Sequence, residues 1–375
     1  MFFRIDKQKH NPLVMAYESG DIDEFRYLIE SGHNVNCLEK YGASLIATVI
    51  VNTRKIKNNI EFFDELIKSD VYLYKIGNEP NLLNLAIVHQ EDTYYMKKLL
   101  QANIDMNLKN TEENGALMVY QPSLFVAIKW AISHKTSFEK LDILLKHNPD
   151  ISMPNIQGNT LINYAIYDGS FLKIFPTLLK NNVNLNQSDR DGVSPLHLLS
   201  KLNSDHIDRS WVIDAMNLLL DNNADPNIID DEGTTPFIAC CFFGNIKAAK
   251  VLIKHSADIN IQDDKKMTAA MHAAEKCNFK ILQLLEENKA NFTIVDNMGN
   301  NVGMHMAMQI KNQSKNTEIY NFLYQHADLL TAKNQNGICA LDIIQKKNTF
   351  EYTKLVKIIK LMEKNKKTDI VENIV

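Results

Sequence analysis

His272 and His305, 33 residues apart, come closest in type and spacing to a metal site. Zinc needs about four converging ligands. Two imidazoles on neighbouring units of a repeat array, about 10 Å apart by helix-packing distance, supply too few, so both read as surface histidines. Adjacent Cys240 and Cys241 offer thiols, but a nucleophilic thiolate needs an electropositive, partly open setting. They stand where a packed helix is expected, and small buried thiols are the better reading. No H-E-x-x-H, G-x-x-x-x-G-K-[ST], G-x-S-x-G or properly flanked G-x-G-x-x-G occurs. The expectation is a chain with no catalytic residue, no metal and no cofactor.

Composition narrows the class of protein that must position these side chains. The 375 residues are 45% hydrophobic and 23% charged, values of a folded globular chain. A net charge of −4 provides no global basic field, so nucleic acid is not the expected partner. Five cysteines without a C-x-x-C pair suggest reduced thiols and a cytoplasmic setting. The opening MFFRIDKQKHNPL lacks the apolar run of a signal peptide, and the longest apolar stretch, Leu45 to Val51, is too short to insert in a membrane. Export through a specialised secretion system would leave no such mark, which keeps a host cytosol open as the place of action.

At this length a single core is improbable on size grounds, but an array of repeats escapes that limit because each unit buries its face on the next. One pattern recurs: Asn186, Asp189, Gly192, Ser194, Pro195, Leu196 and His197; then Asn227, Asp230, Gly233, Thr235 and Pro236; then Asn260, Asp263 and Thr268; then Asp296 and Gly299. Asn227 and Asn260 are 33 residues apart, as are Asn260 and Thr293. Upstream, Ser44, Asn81, Pro122 and Thr160 occupy the position of the helix-opening threonine. Segments such as FRYLIESGHNVN, MNLLLDNNADPN and AKVLIKHSADIN add a second helix with a polar exit turn. On these residues the chain resembles the ankyrin repeat family, and its degenerate copies resemble ankyrin effectors of intracellular bacteria.

The resemblance implies an all-α solenoid of about ten helix–turn–helix units joined by hairpin loops, curved and elongated, with apolar stripes such as Leu178/Leu179 and Leu219/Leu220 between units. Unit ends at Asn36, Tyr74, Asn107, Met153, Asn186, Asn227, Asn260, Thr293 and Thr331 place the array over 1–365. A capping repeat is expected over about 11–36, capping helices over about 337–365 and a polar tail over 366–375. Insertions fall around 111–121 and 201–211. Lys266 replaces a hairpin glycine, and Asn301, Val302 and Gly303 replace T-P-L, which predicts looser local structure there.

For function the resemblance implies protein binding through the concave face, where the fifth and eighth residues from the threonine position point into the groove. That selects Tyr164, Tyr167, Leu198, Lys201, Phe242, His272, Glu275, His305 and Met308 as partner-binding candidates, a stripe apolar enough to mark a contact surface. Asp191, Asp231, Glu232 and Asp264 at the hairpin tips form an acidic rim beside it. Asp189, Asp230, Asp263 and Asp296 are instead expected to hold their own hairpins. The chain is expected to be a monomer that binds one or more proteins as an effector or scaffold acting on host proteins. An inhibitor or immunity-type protein that blocks another protein's active site is the alternative, and an effector enzyme with a cryptic site in an insertion a remoter one.

Overall fold

The structure, a computed structural model, describes residues 11–38, 43–51, 56, 58–73, 81–107, 121–134, 137–155, 157–202, 211–310 and 317–372, with backbone alone for 361–372. Regular structure among them is helical, apart from two isolated bridges, Leu38 with Ser44 and Gln262 with Thr268. The chain divides into two compact units, Met1–Asn184 and Leu185–Val375.

The first unit holds five helix pairs: α1 (Pro12–Ser19) and α2 (Ile22–Glu30), α3 (Leu45–Val51) and α4 (Asn59–Lys68), α5 (Leu82–His89) and α6 (Tyr94–Gln101), α7 (Ser123–Ser133) and α8 (Glu139–Leu145), α9 (Leu161–Tyr167) and α10 (Phe171–Lys180). The second holds α11 (Pro195–Lys201) and α12 (Trp211–Asp221), α13 (Pro236–Phe243) and α14 (Ile246–Lys254), α15 (Ala269–Glu275) and α16 (Phe279–Glu287), α17 (Val302–Met308) and α18 (Thr317–Gln325), α19 (Ala340–Lys347) and α20 (Thr349–Glu372). A 3₁₀ turn, Ala327–Leu330, follows α18.

Two kinds of helix explain two kinds of sequence. Within each unit, most first helices pack on neighbouring first helices (α3 to α9 in the first, α11 to α19 in the second) and on their own second helix, so little of their surface meets water. Leu45–Ile50 and Pro236–Cys241 are buried residue after residue, which is why these segments show no amphipathic period. Second helices keep an outer face. In α12 the buried residues are Val212, Ala215, Met216, Leu219 and Leu220, at helical spacing, and each fully buried leucine contributes about 1.5–3 kcal/mol. The expected leucine pairs split in one case, for Leu178 is buried while Leu179 is 39% exposed.

Helix starts follow the residues at the threonine position. Thr160 Oγ1 accepts the Asn163 N–H at 3.2 Å and Thr235 Oγ1 accepts that of Ile238 at 3.2 Å. The expected looseness at Asn301 is not found. Asn301 Oδ1 accepts the Met304 N–H at 3.0 Å and its Nδ2 donates to the Leu329 carbonyl at 2.8 Å, so asparagine caps as threonine would and adds a tie. Gly303 lets α17 approach the 3₁₀ turn, where an added Cβ would stand 3.1 Å from Leu329 Cβ. Lys266 adopts the left-handed conformation (φ 60°) that Gly192 and Gly233 hold in the preceding hairpins, so the turn keeps its shape.

At the C-terminus, α20 runs on through Glu372 as continuous helix, past the expected boundary at 365. Phe350 is 68% exposed beneath the Lys354 ammonium, whereas Leu355 is buried. The insertions around 111–121 and 201–211 lie almost wholly outside the described residues.

Candidate functional site

The hairpins are built by one carboxylate or amide each. Asp189 Oδ1 accepts the N–H groups of Asp191 (3.1 Å) and Val193 (2.9 Å). Asp230 does the same for Glu232 and Thr234, Asp263 for Lys265 and Met267, Asp296 for Met298 and Asn300, and Asn334 for Asn336 and Ile338. A side-chain oxygen taking two N–H bonds closes the turn without any strand partner. Successive hairpins then join: Asp264 N–H donates to Glu232 O (3.1 Å), Asn297 to Lys265 O (3.1 Å) and Gln335 to Met298 O (3.1 Å). At Gly233 the approach is so close that a Cβ would meet Asp264 Oδ1 at 2.6 Å. These bonds bring Asp231, Glu232 and Asp264 into one exposed row, with Asp191 exposed on the hairpin before them.

On the helix side the two candidate positions separate. Most fifth-position residues lie between helices: Leu198 is 5% exposed and His305 also 5%, with Leu85, Val126 and Ala239 equally covered, whereas Tyr164 and His272 are half-buried. Leu198 and His305 are therefore hardly presented to solvent: α11 packs on α13 and α12, and α17 lies between α15 and α19. Eighth-position residues emerge. Tyr167 is 60%, Phe242 37% and Met308 41% exposed, and Lys201 and Glu275 are half-buried. Tyr164 and Tyr167 belong to the first unit and the other candidates to the second. Tyr164 is half-buried, edge-on to Phe125 at 5.3 Å, and burial with the nearby Asp168 charge pushes its phenol up to about 12. Phe242 meets Phe243 and His272 edge-on, with the Lys276 ammonium 4.2 Å above its ring.

The histidines correct the expectation most clearly. His272 and His305 are not surface groups: each donates from Nε2 to the hairpin aspartate nine residues before it, to Asp263 Oδ2 at 2.7 Å and Asp296 Oδ2 at 3.0 Å. The repeat pattern places those aspartates in the hairpins, as found, but carries no sign of what their second oxygens bind. His305 Nδ1 also reaches Glu275 Oε1 at 3.2 Å, so both its nitrogens face carboxylates. Asn300 Nδ2 donates to Asp296 Oδ2 (3.0 Å) and Asn334 Nδ2 to Asn300 Oδ1 (2.8 Å), extending the network across three repeats. Burial opposes ionisation of Asp296, yet the N–H groups of Asn300 and Met298 outweigh it and hold the carboxyl below its usual range.

This network floors a groove of about 690 Å3 in the second unit. Met267, Met298 and Met308 line it together with Ile338 and Ile343, while Lys265, Glu275, Asn297 and Asn336 add polar groups. Of these, only Glu275, His305 and Met308 were selected from the sequence. The remainder come from hairpins and from α19, which the sequence marks only as a cap. Cys240 and Cys241 are buried, as expected, and burial pushes the Cys240 thiol up to about 12. Among the described residues no three His, Cys, Asp or Glu side chains converge as a metal site, and no helix is long and apolar enough to cross a membrane.

Helix pairs tied by aspartate-pinned hairpins define an all-α repeat solenoid. Residues 211–296 match the ankyrin repeats family (3 copies), so the chain carries ankyrin repeats, the class generally used for protein–protein interaction. No curated protein matches the chain.

Proposed function

We propose that this chain is a non-catalytic binding protein that holds a partner protein against the face formed by its first helices and hairpins, as an effector or scaffold. One observation carries the reading: large apolar residues stay exposed at the eighth position, Tyr167 in the first unit and Phe242 and Met308 in the second, while most fifth-position residues are packed away. Large apolar side chains kept in water on a packed run of helix pairs, in either unit, are what a contact surface requires. The ankyrin repeats at 211–296 support it further. Five free thiols, four of them buried, fit a cytosolic place of action.

Capture from candidate host lysates, quantified for the wild type and for Tyr167→Ala and Phe242→Ala, tests this. Aromatic anchors at an interface centre cost about 2 kcal/mol or more on truncation, so a bound partner should weaken by roughly thirtyfold in at least one variant. Unchanged capture in both, with both variants folded, contradicts the reading.

A further inference from the structure

The groove over the last three repeats combines an apolar trough with one carboxylate held at a fixed place. Met298 and Met308 are 51% and 41% exposed on its walls, and Ile338 and Ile343 are half-buried beside them. Thioether and aliphatic walls of this kind accept an alkyl chain and adapt to its shape. Glu275 lines the same groove with its side chain 38% exposed, and His305, itself pinned by Asp296, fixes its Oε1. Glu275 Oε2 takes no hydrogen bond from the described residues. Asp296 is covered and its oxygens are occupied by hydrogen bonds, so Glu275 is the carboxylate that a ligand can reach.

We propose that this groove takes the basic side chain, arginine or lysine, of a partner segment. The alkyl stem lies along Met298, Met308 and Ile343, and the cationic head pairs with Glu275. This rests on the binding reading above and names the chemistry of what is bound. Arginine and lysine bury their stems while keeping the charged end at a polar group, which matches a half-buried carboxylate beside apolar walls. On the preceding hairpins the exposed Asp231, Glu232 and Asp264 are largely offset by exposed Lys265 and Lys266, so Glu275 itself carries the attraction for a cationic head. Lys265, also on the groove, is exposed at a hairpin tip, and its long side chain can turn its charge to solvent.

The test uses the full chain labelled at methionine methyls and titrated with Nα-acetylarginine methylamide, and separately with the uncharged norleucine analogue. The arginine probe should shift the Met298 and Met308 methyl signals and bind about three- to tenfold more tightly than norleucine, as expected for a half-buried charge pair. Added salt should narrow that preference in the wild type. Glu275→Gln should remove it, with the signals of buried Met216 and Met271 unmoved as the check on folding. Equal binding of the two probes to the wild type, or a preference unaffected by salt, refutes the cation site and leaves the groove as an apolar docking trough. Methyl signals that move with neither probe overturn both readings.

Discussion

At the scale of single residues, one side-chain type does two different jobs depending on its place in the repeat. His197 sits at the position that the repeat pattern provides for histidine. Its Nδ1 accepts the Ser194 N–H at 3.2 Å, so its Nε2–H donates to the Thr234 carbonyl of the next repeat at 2.7 Å. His272 and His305, one position further along the equivalent helices, turn back to their own hairpin aspartates. His197 is wholly buried, and burial lowers its pKa below the ordinary value near 6.5. Below that value the unfolded chain binds a proton that the folded chain refuses, so stability should fall as pH drops from about 6.5. His197→Gln should cost stability at pH 7 but lose less than the wild type between pH 7 and 5. Denaturant midpoints at the two pH values measure this, and parallel losses would mean His197 carries no proton linkage.

At the scale of elements, ties between neighbouring helix pairs depend on residues outside the repeat pattern. Lys140, from α8, is buried and donates to the carbonyls of Ile87 and Gln90 at the end of α5, with its ammonium 3.3 Å from the Trp130 ring centre. Asn245 similarly donates to Leu202 O after α11, at 2.7 Å, and Lys347 to Ile310 O after α17, at 2.9 Å. Each closes the open carbonyl end of a first helix from a neighbouring pair. Burial pushes Lys140 down to about 8, only partly offset by Asp92, Glu139 and Glu91. Between about 8 and the ordinary lysine value the unfolded chain holds a proton that the folded one has shed, so the wild type should gain stability over that window. Lys140→Met should lack the alkaline gain and, with two buried carbonyls unpaired, should lose about 1–3 kcal/mol at pH 7 by denaturant unfolding.

What could be read in advance follows from range. Helix pairs, caps and hairpins rest on contacts within ten residues, so Asn186, Asp189 and Thr235 announce them even in degenerate copies. Lys140 on Ile87 spans 53 positions and Lys347 on Met308 spans 39, and neither leaves a local pattern. The same holds for the site. Glu275 and Met308 were legible because they fall at a counted position, whereas Met298, Asn334 and Ile343 enter the groove only because successive hairpins and helices stack. Counting positions also overstates exposure, since it cannot tell where flanking helices cover the fifth residue: Leu198 is packed away, and His305 enters the groove only as part of its floor.

At the scale of the whole molecule, each unit is a run of helix pairs in which neighbours bury one another, and the residues left over by that packing are the ones that define function. Tyr167 in the first unit and Phe242 and Met308 in the second remain outside the cores, while Lys250 and Lys254 are exposed on the second helix α14. The most direct measurement of the binding claim places a photo-crosslinking residue singly at positions 167, 242, 308, 250 and 254, and compares adducts formed in lysate. The account predicts adducts to a common partner from at least one of 167, 242 and 308, and none to that partner from 250 or 254. Adducts confined to 250 and 254 would put the contact on the second-helix face and contradict the account.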